Sequence, residues 1–159
     1  MREKVQILKS EIKTDIEKIE RLVNRFKEAY GSFNKTHEYS KLVESAFYAN
    51  QIYSGFERLL KNIADVFENS VSMDSWHKSL IERMTINVEG IRPAVISIES
   101  FKALNELRAF RHFFRHAYDT DIDEKKFAIV AENVFKLEEQ YREDFSKFIK
   151  FLDNLLKEE

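Results

Sequence analysis

The clearest helical pattern in the chain lies between Glu38 and Glu68, where the sequence reads EYSKLVESAFYANQIYSGFERLLKNIADVFE. Its apolar side chains return every three or four residues, which places them along one face of an α-helix. These positions are Tyr39, Leu42, Val43, Ala46, Ala49, Tyr53, Phe56, Leu60, Ile63 and Phe67. Gly55 does not break the pattern, although a glycine costs a helix about 1 kcal/mol. We therefore expect another element to approach the backbone closely at Gly55.

The segment before this helix has the same period. Its apolar positions are Val5, Leu8, Ile12, Ile19, Leu22, Phe26 and Ala29. The spacing predicts a long first helix. Gly31 is expected to end that helix, because glycine is common just after a helix C-terminus, and a polar loop is expected from Ser32 to Thr36.

Two loops and a short helix are predicted after Glu68. The polar stretch from Asn69 to Ser75 is typical of a loop, in which Asp74 would be the N-cap of a short helix from Ser75 to about Met84. The stretch from Thr85 to Ile96 has no clear period and contains Gly90 and the only proline, Pro93, so it predicts a second loop.

Two more amphipathic segments complete the chain. Ser97 is expected to cap a fourth helix that continues to about Tyr118, and the acidic turn from Asp119 to Asp123 precedes the last helix. The apolar stripe of that helix is Phe127, Val130, Val134, Leu137, Tyr141, Phe145, Phe148, Leu152 and Leu155. Four long helices and one short helix predict an all-α fold, an up-and-down helical bundle, and we expect residues 1–159 to form a single domain.

Length and composition exclude several classes of protein. With 159 residues, 43% of them hydrophobic, and a net charge of −2, the chain is typical of a globular domain and not of a disordered protein. The absence of cysteine excludes disulfide frameworks, thiolate metal sites and cysteine nucleophiles. Three glycines and one proline are too few for the turns of a β-sandwich or barrel. The chain has neither an apolar run near the ~18 residues of a membrane span nor a signal-peptide core, so we expect a soluble, cytoplasmic protein.

The fourth helix has an unusual polar face. Its predicted core face consists of Ala103, Leu107, Phe110, Phe113, Phe114 and Ala117, and the opposite arc consists of Arg108, Arg111, His112, Arg115, His116, Tyr118 and Asp119. Residues 101–118 carry four basic residues against one acidic residue, whereas residues 119–159 carry 12 acidic against 7 basic residues. A protein that coats nucleic acid would be basic throughout, so this distribution favours a confined anion site.

Arginine and histidine at this density indicate chemistry on a phosphodiester. A guanidinium binds phosphate through two parallel hydrogen bonds and stays charged, and an imidazole takes and returns a proton near neutral pH. Together they supply what a metal-free cleavage needs, with Arg108 and Arg115 as further substrate-binding residues. Because Arg111 and His116 lie about 140° apart around the helix, one helix makes only a loose site. Two copies across a two-fold axis would bring both pairs around one cleft.

The sequence resembles the HepT toxins of the HEPN superfamily. The motif is Arg111-His-Phe-Phe-Arg-His116-Ala-Tyr118, which fits the family pattern of an arginine, four residues, a histidine, one residue and a tyrosine. Three upstream blocks add to the resemblance, which covers residues 53–123. They are Tyr53-Ser-Gly55-Phe-Glu57, Trp76-His-Lys and Gly90-Ile-Arg-Pro93. The resemblance implies a HEPN-like bundle and a metal-independent endoribonuclease that works as a homodimer without a cofactor.

The resemblance also implies individual roles. Arg111 would bind the scissile phosphate, His116 would act as acid and base at the ribose 2′-hydroxyl, and His112 would assist. A nucleotidyltransferase antitoxin of the MNT type would neutralise the toxin by transferring AMP to Tyr118. The added phosphates would then occupy the place of the RNA backbone beside Arg111.

Other interpretations of the same residues remain open. The chain could be a non-catalytic partner that presents substrate to a nucleotidyltransferase, or a purely structural bundle whose arginines are solvated surface charge. His112 and His116, four residues apart, could ligate a metal, although no third ligand lies at a suitable spacing. The phenylalanines Phe110, Phe113 and Phe114 are expected in the core or a dimer interface. Trp76 and His77 are expected to seat the short helix, with nucleotide contact as the alternative, and His37 is expected at the surface.

Overall fold

The computed structural model describes residues 1–68 and 76–158, without the side chains of residues 76–78. In these residues the chain forms five α-helices. They are α1 (Arg2–Thr36), α2 (Tyr39–Phe67), α3 (Trp76–Arg83), α4 (Ile98–His116) and α5 (Glu124–Glu158). The predicted all-α fold of four long helices and one short helix is therefore confirmed.

The four long helices form an up-and-down bundle. Helix α1 packs against α2 and α5, and α4 packs against the same two helices. Helices α1 and α5 run antiparallel, because Lys9 pairs with Asp153 and Lys27 pairs with Glu138. The core between the helices is rich in aromatic side chains, which supply large buried apolar areas. The largest are Phe26, Tyr53, Phe56, Phe127, Tyr141, Phe145 and Phe148.

Helix α2 confirms both expectations drawn from its sequence. Its observed bounds lie within one residue of the predicted ones. At Gly55, a Cβ atom would lie 3.0 Å from Cγ1 of Ile19 on α1, so the glycine lets the two helices approach closely. This close approach explains why a residue with poor helix propensity occupies the middle of a long helix.

The predicted end of α1 at Gly31 is wrong, and so is the predicted loop from Ser32 to Thr36. The helix continues through both to Thr36 and buries Phe33. It ends at His37, which adopts the left-handed conformation (φ 56°) and donates its backbone N–H to the carbonyl of Phe33 at 2.8 Å. A non-glycine residue thus takes the C-terminal position at which glycine is usual. His37 is exposed, as expected.

Helix α4 ends at His116, two residues earlier than predicted, and its core face is shorter. Ala103, Leu107 and Phe110 are buried, but Phe113 is 45% exposed and Ala117 is exposed. Phe113 is uncovered because α5 begins only at Glu124. A cavity of about 450 Å³ remains there between the end of α4 and the start of α5.

The loop between α3 and α4 is organised around Arg92, whose side chain is fully buried. It pairs with Glu68 at the end of α2 and donates to the backbone carbonyls of Ile86 (3.0 Å) and Pro93 (3.2 Å). Among the helices that the structure describes, none has the length and apolarity that crossing a membrane requires. The predicted loop of residues 69–75, with its Asp74 cap, and the side chains of Trp76 and His77 lie outside the described residues.

Candidate functional site

The start of α4 is fixed by a capping network. As predicted, Ser97 is the N-cap, and its hydroxyl accepts a hydrogen bond from the backbone N–H of Ser100 at 3.2 Å. A carboxylate of α5, Asp144, accepts from the backbone N–H of Ser97 and from the hydroxyls of both serines. The network fixes the start of α4 to α5, three turns or more before the motif.

Arg111 lies on the side of α4 that faces α2. Its guanidinium carbon is 5.7 Å from the centroid of the Tyr53 ring, within the range of a cation–π contact. Its Nε is buried and has no hydrogen-bond partner among the described residues. The residue as a whole is half-buried. Arg111 therefore has donors left over for a further acceptor.

The surroundings of Tyr53 join α2 to the basic face of α4. Burial raises the pKa of Tyr53, and the neighbouring carboxylate of Glu57 raises it further, while Arg108 and Arg111 lower it. The net direction is upward, so the phenol stays protonated and its ring stays neutral at physiological pH. Sequence analysis placed Tyr53 in the apolar stripe of α2 and, with Glu57, in the first block of the family resemblance, but it assigned neither residue a contact with the motif. That block was the available signal, because it begins at Tyr53 and ends at Glu57, one helical turn later.

His112 and His116 lie together at the exposed end of α4. Their ring centroids are 4.6 Å apart and their planes are inclined by 52°. In the described residues, no hydrogen bond or ring contact joins either imidazole to Arg111. One copy of the chain thus brings the two histidines together and turns Arg111 towards α2, as the angular separation on the helix predicts.

Helix α4 carries three arginines that form no ion pair in the described residues; they are Arg108, Arg111 and Arg115. Arg108 donates from Nε to the side-chain oxygen of Asn105 at 3.2 Å, and Arg115 is exposed. Three other arginines of the chain do pair with carboxylates, and they are Arg83, Arg92 and Arg142. Arg2, Arg21, Arg25 and Arg58 form no ion pair in the described residues either, so the distinguishing feature of α4 is that its three arginines lie within eight residues of one helix.

Tyr118 follows the end of α4 and is 91% exposed. Its backbone carbonyl accepts a hydrogen bond from the Thr120 hydroxyl at 3.1 Å, and Asp119 takes the left-handed conformation with φ 49°. The phenol thus stands in solvent two residues beyond His116, where another macromolecule can reach it.

Neither a metal centre nor an enclosed pocket coincides with these residues. No group of three histidines or carboxylates that could hold a metal is found in the part of the chain that the structure describes. The cavity between α4 and α5 is lined mainly by apolar residues, including Phe110, Phe113 and Phe127, and by none of the motif's arginines, histidines or its tyrosine. The basic face is an open surface.

Comparison with known proteins identifies the family. The family model for HepT-like proteins matches residues 45–152, which include most of α2, α4 and the whole Arg111 to Tyr118 motif. No curated protein and no solved structure matches the chain. Since the family match covers well over half of the sequence, the chain belongs to the HepT-like family of the HEPN superfamily.

Proposed function

We propose that this protein is a metal-independent endoribonuclease, the toxin of a toxin–antitoxin pair of the HepT/MNT type. The observation that carries the proposal is Arg111, half-buried with a partnerless Nε and no ion pair among the described residues, on the same helix end as the contacting imidazoles of His112 and His116. A cationic donor without a protein acceptor fits an anionic substrate.

The proposed reaction needs only these side chains and RNA. One imidazole takes the proton of the ribose 2′-hydroxyl, and the 2′-oxygen attacks the neighbouring phosphorus. Arg111 stabilises the charge of the phosphorane, and a protonated imidazole gives its proton to the departing 5′-oxygen. The products are a 2′,3′-cyclic phosphate and a 5′-hydroxyl. His116 acts as the principal acid–base, His112 assists, and Arg108 and Arg115 bind neighbouring phosphates.

A second copy of the chain completes the cleft in this proposal. On α2, Tyr39, Val43 and Phe47 form an exposed apolar stripe at intervals of four residues. The Tyr39 hydroxyl accepts a hydrogen bond from the backbone N–H of Ile122 at 2.9 Å, so the stripe begins beside the loop that joins α4 to α5. An exposed apolar stripe close to the loop that follows the motif supports a homodimer whose two motifs meet across a two-fold axis.

The exposure of Tyr118 supports its proposed modification. Its hydroxyl oxygen would attack the α-phosphate of ATP bound to the MNT-type nucleotidyltransferase, with release of pyrophosphate. The attached AMP places a phosphodiester near His116 and Arg115, where it competes with the RNA backbone. Co-expression with the transferase should add the mass of one or more adenylates to the peptide containing Tyr118. The Tyr118→Phe variant should remain unmodified and toxic, and AMP found on that variant would place the acceptor elsewhere.

The nuclease itself is tested by substitution. Arg111→Ala and His116→Ala should each lower RNA cleavage by roughly 100-fold or more, because each removes a group that acts on the transition state. The control is Arg142→Ala, which removes an exposed arginine of α5 far from the motif. All three variants should keep the helical circular dichroism of the wild type. Cleavage that survives both motif substitutions, or that stops with EDTA, contradicts the proposal.

A further inference from the structure

Arg111 is the only motif arginine that lies over an aromatic ring in the described residues, and that ring is buried. We propose that Tyr53 is a positioning residue for the reaction, a rigid platform on α2 that holds the Arg111 guanidinium flat so that its free edge faces the scissile phosphate. This inference rests on the proposed ribonuclease function and adds to it a residue outside the motif.

The first support is geometric. Tyr53 is 1% exposed, so its ring is fixed by the core and cannot follow a moving side chain. The guanidinium carbon lies 5.7 Å from the centroid of that ring. Contact with a buried ring face is stronger than the same contact in water, because less of it is screened. The contact holds a long, flexible arginine beside a rigid ring before substrate arrives.

The second support is the burial of the guanidinium. Nε is buried without a partner among the described residues, whereas the residue as a whole is only half-buried. The guanidinium is therefore partly enclosed beside the Tyr53 ring of α2. An arginine that is enclosed in this way loses little freedom when it binds a phosphate.

The third support is the state of the phenol. An ordinary phenol is already protonated near neutral pH, and burial and the Glu57 carboxylate raise the pKa of Tyr53 further, so the ring carries no charge of its own. The groups that act on it are Glu57 from α2 and Arg108 and Arg111 from α4. A neutral phenol preserves the π face for Arg111 without forming an ion pair that would consume its charge.

A matched control exists within the chain. Tyr141 on α5 is also 1% exposed, and the guanidinium carbon of Arg142 lies 5.9 Å from the centroid of its ring. Tyr141→Leu thus removes a buried ring beside an arginine remote from the motif, and Tyr53→Leu removes a buried ring beside Arg111. Tyr53→Phe keeps the ring and removes only the hydroxyl.

The experiment measures cleavage of a single-stranded RNA and the NMR signal of the Arg111 Nε–H group. Tyr53→Leu should lower kcat at least tenfold more than Tyr141→Leu, with a smaller effect on KM, whereas Tyr53→Phe should retain cleavage within about threefold. The chemical shift of the Arg111 Nε–H group should change in Tyr53→Leu and stay the same in Tyr141→Leu. Equal losses of kcat in the two leucine variants, or an Arg111 signal that does not move, overturn the inference.

The wild-type protein gives a test that needs neither a variant nor activity. Hydrogen exchange at the buried Nε–H group of Arg111 should be at least tenfold slower than at the Nε–H group of the exposed Arg115. Equal exchange rates overturn the positioning role of Tyr53. This test does not depend on whether the Tyr53→Leu variant folds. The two proposals can also fail separately. Suppose that the wild type cleaves no RNA, but that the Arg111 Nε–H group exchanges slowly and its chemical shift changes in Tyr53→Leu. The ribonuclease proposal then fails, whereas the contact that positions Arg111 on Tyr53 is supported.

Discussion

Two arginines of this chain differ in how far their charge and hydrogen-bond donors are used within the protein. Arg92 is fully buried, pairs with Glu68 and donates to backbone carbonyls, so its charge and its donors serve the fold. Arg111 rests on an aromatic ring and pairs with no carboxylate of the described residues. A paired, buried arginine holds a loop in place, whereas an unpaired arginine at the surface has donors free for a ligand.

The role of Arg92 gives a prediction about stability. Glu68→Ala would leave the buried Arg92 without its counter-charge, so we expect the free energy of unfolding to fall by about 3–5 kcal/mol. Glu20→Ala is the control, because Glu20 pairs with Arg142 at 2.9 Å on the surface and should have a much smaller effect. Urea denaturation followed by circular dichroism measures both. Similar losses in the two variants would mean that Arg92 is better solvated than its position indicates.

At the level of the element, the two helical glycines differ in their surroundings. A Cβ at Gly31 would meet no atom within 4 Å, whereas a Cβ at Gly55 would lie 3.0 Å from the buried Ile19 side chain. Gly31→Ala should therefore stabilise the protein by about 0.5–1 kcal/mol through helix propensity alone. Gly55→Ala gains the same propensity but crowds Ile19, so it should be less stable than Gly31→Ala by at least about 1 kcal/mol. Equal thermal stability of the two variants would contradict the close packing of α1 on α2.

The helices could be predicted from sequence wherever the apolar period was strong. Helix α2 has its predicted bounds, and Ser97 caps α4 as expected, because both follow from local patterns. The end of α1 could not be predicted, because the burial of Phe33 keeps the helix intact beyond Gly31. Tertiary packing there outweighs the preference of one glycine.

The candidate site could be predicted only in part, for a related reason. The order of residues along α4 places Arg111, His112 and His116 on one polar face, and no contact with another helix is needed to see this. The Tyr53 ring belongs to a different helix, far earlier in the chain, and helical periodicity contains no information on which residues of two helices meet. The platform beneath Arg111 therefore became visible only in the folded bundle.

At the level of the whole molecule, the antiparallel bundle determines where a single copy of the chain places the arginine and the histidines of the motif. It holds Arg111 against α2 and leaves the imidazoles of His112 and His116 at the open end of α4. The apolar stripe of α2 begins beside the loop that follows the motif. In the proposed homodimer, a symmetric partner docked on that stripe joins the arginine of one copy to the histidine of the other.

This arrangement predicts complementation between two inactive variants. In a homodimer of Arg111→Ala the shared cleft has no Arg111, and in a homodimer of His116→Ala it has no His116. A mixed dimer holds one Arg111 and one His116, contributed by different copies, so mixing should restore cleavage well above that of either variant alone. Random exchange of subunits makes about half of the dimers mixed, which sets the upper limit on recovery.

The measurement is RNA cleavage after the two purified variants are unfolded and refolded together, since refolding allows subunits to exchange. The control is the double variant Arg111→Ala/His116→Ala refolded with the wild type, in which each mixed dimer has both groups on a single copy. Its cleavage is corrected for the wild-type homodimers, which make up about a quarter of that mixture. If Arg111 and His116 act together only across the interface, this second mixed dimer is weaker than the first. Corrected cleavage equal to that of the complementing mixture would mean that the two groups need not come from different copies, and no complementation at all would mean that the dimer does not share one cleft.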